Sequence, residues 1–218
     1  LRTGRHGVRT RDAMTREELL GGFAAVYPVL KLLEDGGRVR RGYFVEGLGA
    51  AQFAAKGADE LLRDPPREEE PVLLLSATDP ALAYGAALAW PPLTNDAQAA
   101  PRVAGARVAL HQGKILYYLS RKGAVLTFAG QSETSVQAEH LARLVLAERG
   151  LTVESIDGAL PATTPLGREL LTRGLVATSR GPLVARRGAA PLGGALGARP
   201  TARRDDEPRD AHPDGGEE

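Results

Sequence analysis

The chain has 218 residues, 28 Lys+Arg against 27 Asp+Glu, and no cysteine. That balance excludes a globally basic nucleic-acid coat, though not a local basic patch, and the missing thiols exclude disulfides, Cys-based zinc sites, iron–sulfur clusters and cysteine nucleophiles. Hydrophobic residues make up 43% and aromatics 5%, so the core is built mostly from Ala, Val and Leu, in one large domain or two small ones.

The basic residues are concentrated at the front. Leu1 to Arg41 holds nine Lys/Arg and five acids. Within it, Thr15-Arg16-Glu17-Glu18 has the form of a capping box. Phe23, Val26, Tyr27, Leu30 and Leu33 then mark one face of a helix. Pro28 sits inside that pattern and predicts either a helix start or a kink. Gly36-Gly37 ends the helix. Arg38 to Val45 reads as a strand, Glu46 to Gly49 as a turn, and Ala50 to Ala54 as the returning strand. Helix, helix, β-hairpin is the order of a winged helix-turn-helix. Alternation puts Arg38 and Arg40 on one side of the strand, and Val39 and Tyr43 on the other.

Ala58 to Arg63 predicts a short helix. Residues 65–71, with three prolines and a charge run, read as a linker between a domain at 1–64 and a second at 72–186. The second opens with a strand, Val72 to Ser76. Ala81 to Leu93 is ambiguous. Ala106–Leu110, Lys114–Ser120 and Ala124–Phe128, separated by short Gly-containing gaps, predict an antiparallel meander. An amphipathic helix follows from Ser135 to Arg149, then a strand at Leu151–Ile156 and a helix at Pro165–Arg173. A last strand spans Leu175–Ser179, continuing through Leu183–Ala185. Residues 187–218 carry no aromatic and no period, and read as a disordered tail. The expected class is therefore α+β: a winged helix, an antiparallel β-meander domain with two helices, and a tail.

The chemistry-bearing residues point in one direction. Arg38, Arg40 and Arg41 on a wing, with Lys31 on the helix and Arg5, Arg9 and Arg11 before it, suit a phosphate backbone. The alternative is a strand edge defended by charge. Thr78-Asp79-Pro80 places a carboxylate at a strand end, where Asp is equally a turn starter. Ser76 lacks a nucleophile elbow. His6, His111, His140 and His212 are scattered, so no metal is expected. Gly47-Leu48-Gly49 lacks the third glycine of a dinucleotide fingerprint, and Gly113-Lys114-Ile115 is no P-loop, so no cofactor is expected on this chain. The longest apolar run, Ala81 to Trp90, is too short for a bilayer, and no secretory signal precedes it. A cytoplasmic location without membrane contact is expected. Leu1 in place of Met points to a piece of a longer polypeptide.

Gly21 to Leu30 (GGFAAVYPVL) and Arg40 to Ala54 (RRGYFVEGLGAAQFA) closely resemble the far C-terminal region of Lhr, the large helicase-related proteins. So do Ala77-Thr78-Asp79-Pro80-Ala81, Tyr84 to Leu88 leading to Trp90-Pro91, and Leu116-Tyr117-Tyr118. Leu82-Ala83 departs from the Asn-Pro common there. The resemblance runs from about Arg5 to Arg180. It implies a DNA-binding part of a superfamily 2 helicase acting in DNA repair. The ATP- and magnesium-dependent motor would lie upstream in the same polypeptide, and single-stranded or tailed duplex DNA, or RNA–DNA hybrid, would be the partner. It also implies two alternatives: a uracil-DNA glycosylase-like end module, for which Asp79 is the catalytic candidate, and an oligomerisation or protein-interaction module.

Overall fold

The computed structural model describes residues 7–11, 14, 21–48, 51–64 and 71–186. The capping box at Thr15–Glu18, Arg5, residues 65–70 of the expected linker, and the tail lie outside the described residues.

The first group of elements is β1 (Val8–Arg9), α1 (Gly22–Asp35), β2 (Val39–Gly42), β3 (Gln52–Ala55) and α2 (Ala58–Leu61). The apolar face of α1 packs Phe23, Val26, Tyr27, Leu30 and Leu33 against Met14, Val39 and Phe53. Tyr27 meets Phe53 edge to face at 6.0 Å between ring centroids. The helix neither starts at Pro28 nor breaks there. Pro28 lies on the exposed face, where water can take up the one carbonyl it leaves unbonded. The C-terminus closes as a Schellman motif: Gly37 N–H donates to Glu34 O at 2.9 Å and Arg38 N–H to Leu33 O at 2.8 Å. This needs the positive φ of 68° at Gly37, and it delivers Arg38 to the foot of the hairpin.

β3 is central, with antiparallel β2 and β1 on its two sides. β1 is absent from the sequence reading, since two residues carry no period. The ladder ends at Gly42, so Tyr43 does not continue the Val39 face as alternation suggests.

The second group forms a five-stranded sheet in the order β4 (Leu73–Ser76), β5 (Arg107–His111), β6 (Lys114–Leu119), β7 (Ala124–Leu126), β8 (Ser155–Ile156). The meander is present. The all-antiparallel expectation needs correction at one edge, because β8 runs parallel to β7. The chain reaches it through α3 (Thr134–Ala147), and a parallel neighbour requires such a crossover. The expected single strand at the end is also corrected: β9 (Leu175–Ala177) and β10 (Leu183–Ala185) form a hairpin, since Arg180-Gly181-Pro182 reverses the chain. Between β8 and β9, a 3-10 turn at Pro161–Thr163 leads into α4 (Pro165–Thr172). Thr164 caps α4 by accepting from Gly167 N–H at 3.0 Å.

Two apolar clusters belong to this part. Tyr117, Leu119 and Val125 pack with Leu141 and Leu144 of α3 and Leu166 and Leu170 of α4. Tyr118, Leu126 and Phe128 pack with Leu82 and, at the margin, Trp90. The ambiguous Ala81–Leu93 segment is irregular, held by aromatic contacts from Trp90 to Tyr84, Tyr118 and Phe128. The Arg102 guanidinium also ties it down, donating to the carbonyls of Asp79, Leu82 and Tyr84 at 2.8–3.0 Å. No helix among the described residues is long and apolar enough to cross a membrane.

Candidate nucleic-acid interface

Cross-strand partners share a face of the sheet, and the register separates the three wing arginines. Arg41 lies opposite Phe53, itself opposite Arg9. These three face α1, and Arg41 Nε reaches Glu34 at 3.4 Å. Arg40 lies opposite Ala54, on the face covered by α2, where its Nη1 donates to Asp59 at 2.8 Å. Asp59 is buried and Arg40 is exposed, so the pair uses one edge of the guanidinium and leaves the other donors in water. Arg38 stands exposed just before the strand.

The expected patch is thus split. Arg9 is almost fully buried in β1, because its position faces the α1 core. Arg11 and Lys31 are exposed, with Lys31 on the outer side of α1. Arg5 lies outside the described residues. The structure instead brings Arg38 together with Lys56, which follows β3 and whose N–H donates to Arg38 O at 3.3 Å. Both residues line an open groove of about 660 Å³ together with Val29, Leu33, Gly36, Gly37 and Val39. Among the described residues neither cation has an acidic partner within ion-pair distance. Lys56 escaped the sequence reading because it falls just beyond the strand pattern.

Gln52 is the other residue the sequence reading missed. It is fully buried, and its amide makes four bonds to the wing loop. The oxygen accepts from Phe44 N–H at 2.9 Å and Val45 N–H at 2.8 Å. The nitrogen donates to Val45 O at 2.9 Å and Leu48 O at 2.7 Å. One side chain therefore fixes a loop that has no ladder of its own. A polar residue at the head of the returning strand is the signal that could have found it. Replacing Gln52 with Leu is expected to destabilise the chain by about 2 kcal/mol, because several loop groups lose their partner at once. Urea denaturation of the two proteins measures this.

Asp79 is placed as a turn former: its Oδ1 accepts from Ala81 N–H at 2.8 Å. Among the described residues no three acidic or imidazole side chains gather as metal ligands would.

Residues 3–73 match the family model described as Large helicase-related protein, winged-helix domain. The chain is 43% identical over 195 residues to a protein of Mycolicibacterium smegmatis (strain ATCC 700084 / mc(2)155) named Lhr helicase/ probable uracil glycosylase. It is 42% identical over 126 residues to an Escherichia coli (strain K12) protein named Lhr helicase/uracil glycosylase. These alignments cover 82% and 55% of this chain but only 13% and 8% of the relatives.

Proposed function

The chain corresponds to a C-terminal region of the large helicase-related proteins, and from that premise we propose that its winged helix holds DNA for a helicase motor carried elsewhere in the parent polypeptide. Residues 1–64 would form the DNA-holding unit and 72–186 a second unit, joined at 65–71. The motor would supply the ATP and magnesium chemistry, and the work would be DNA repair in the cytoplasm. The substrate class is single-stranded DNA, or duplex with a single-stranded tail.

One observation carries this reading: Arg38 and Lys56, without acidic partners among the described residues, flank a groove at the foot of a clamped wing. Cations so placed can neutralise phosphates and release counterions, while Arg40 and Arg41 keep part of each guanidinium exposed. The glycosylase reading rests on the names of the relatives, and Asp79, its only candidate, has its carboxylate engaged in a turn.

The test is fluorescence anisotropy with a tailed duplex across a salt series. The Arg38→Ala/Lys56→Ala variant should bind about tenfold more weakly, with a log–log salt slope shallower by about two, one per phosphate contact. Unchanged affinity and slope would remove the groove from the interface. A wild-type chain that binds no DNA and sediments as an oligomer would favour the interaction-module reading, for which Leu32 on the outer face of α1 is an exposed apolar residue.

A further inference from the structure

We propose that Tyr43 is a stacking platform for an unpaired base of a nucleic-acid strand passing the wing. The proposal rests on the DNA-holding reading above and adds to it a preference for single strands. Tyr43 is 91% exposed, more than any other large hydrophobic side chain among the described residues. An aromatic ring gains more than most side chains from leaving water, so a ring kept this open invites a ligand.

The exposure does not come from a loose backbone. Gly42, before Tyr43, is the last ladder residue, opposite Gln52. The two residues after it, Phe44 and Val45, have their N–H groups fixed by the same Gln52 amide. Tyr43 is therefore pinned from both sides, and its ring is presented from a fixed point. Such pre-organisation lowers the entropy lost on binding.

The surroundings select the ligand. Docking onto a protein surface calls for a contiguous apolar patch. Around Tyr43 the chain offers Arg41, whose side chain is 50% exposed, and the half-buried Phe44 and Val45. Glu46 is the acid of the wing, three residues on. An isolated exposed ring two residues from a cation suits a nucleotide strand, whose base stacks on the ring while a neighbouring phosphate meets the part of the Arg41 guanidinium that Glu34 leaves open. A base inside a duplex has both faces already stacked, so the platform serves unpaired bases.

The experiment uses the whole 218-residue chain with a labelled single-stranded oligonucleotide and a blunt duplex. Wild type, Tyr43→Ala and Tyr43→Phe are compared. Tyr43→Ala should weaken single-strand binding about 5- to 100-fold and leave blunt-duplex binding within about twofold. Tyr43→Phe should bind like wild type, since stacking needs the ring and not the hydroxyl. The salt slope should stay the same in all three, because the ring carries no charge. Equal single-strand affinity for Tyr43→Ala and wild type overturns the platform and leaves the Arg38/Lys56 reading standing. An equal loss on single strand and duplex also overturns it. A wild-type chain that binds neither ligand overturns both readings.

Discussion

Replacing Gly167 with alanine is expected to destabilise the fold by about 3–5 kcal/mol, enough to unfold a marginal domain. Gly167 lies in the first turn of α4, against the 3-10 turn that precedes it. A Cβ built there falls 1.7 Å from Pro161 O and 2.4 Å from its carbonyl carbon. The obstacle is backbone, so no rotamer change relieves it. Nor is that carbonyl free to move, because it accepts from Thr164 Oγ1 at 2.8 Å and Thr164 N–H at 3.0 Å. If α4 moved instead, it would withdraw Leu166 and Leu170, both buried, from the α3 side of the sheet. Gly36→Ala is the control: its Cβ would meet Leu32 O at an ordinary 3.4 Å, and a change of less than about 1 kcal/mol is expected there. Thermal or urea unfolding distinguishes the two variants, and a Gly167→Ala protein as stable as wild type would show that the helix and the 3-10 turn are not tightly registered.

Acidification should remove about 3 kcal/mol through one imidazole. His140 lies on α3 with its Nδ1 2.6 Å from the Tyr117 hydroxyl, both groups buried. Its other nitrogen, Nε2, is buried with no hydrogen-bond partner among the described residues. Burial, then the charges of Arg143 and His111, push the imidazole down to about 4 from the usual 6.5. The unfolded chain therefore takes up a proton near pH 6.5 that the native state refuses until about pH 4. The stabilisation is complete above the unfolded value and is lost progressively as pH falls between the two. Burial raises the pKa of Tyr117, so the phenol stays neutral throughout this window. The measurement is urea stability at pH 7 and pH 4.5 for wild type and His140→Phe. The wild type should lose more stability than the variant between the two pH values, and equal losses would show that His140 is protonated without penalty.

Local pattern made much of this legible. The α1 face, the wing hairpin and the β5–β6–β7 meander repeat at 3.6 or 2 residues and are bounded by glycines. The relations that escaped join residues far apart in sequence. The direction of β8 is not written in Leu151–Ile156, because a strand reads the same whether its neighbour runs parallel or antiparallel. Arg40 and Asp59 pair across 19 positions, so the wing arginines could be counted from sequence but their partners could not. Alternation put Arg38 and Arg40 on one side and Tyr43 with Val39, but the ladder spans only Val39 to Gly42, so it orders Arg40 and Arg41 on opposite faces and reaches neither Arg38 nor Tyr43. Gln52 looked like an ordinary strand residue; its role appears only when the loop it satisfies is in place.

The sheet's connectivity bears on how the chain assembles as it leaves the ribosome. β5, β6 and β7 are joined by tight turns and can pair as soon as they emerge. β4 is synthesised earlier but finds β5 only across the whole segment from Ala77 to Ala106, and β8 reaches β7 only after α3 has been made. Closing such long loops carries an entropic cost that short turns avoid, and separated pairings slow the search. On the nascent chain the β7 margin therefore stays open until translation is well past Ile156, when the five-stranded sheet gains its last strand.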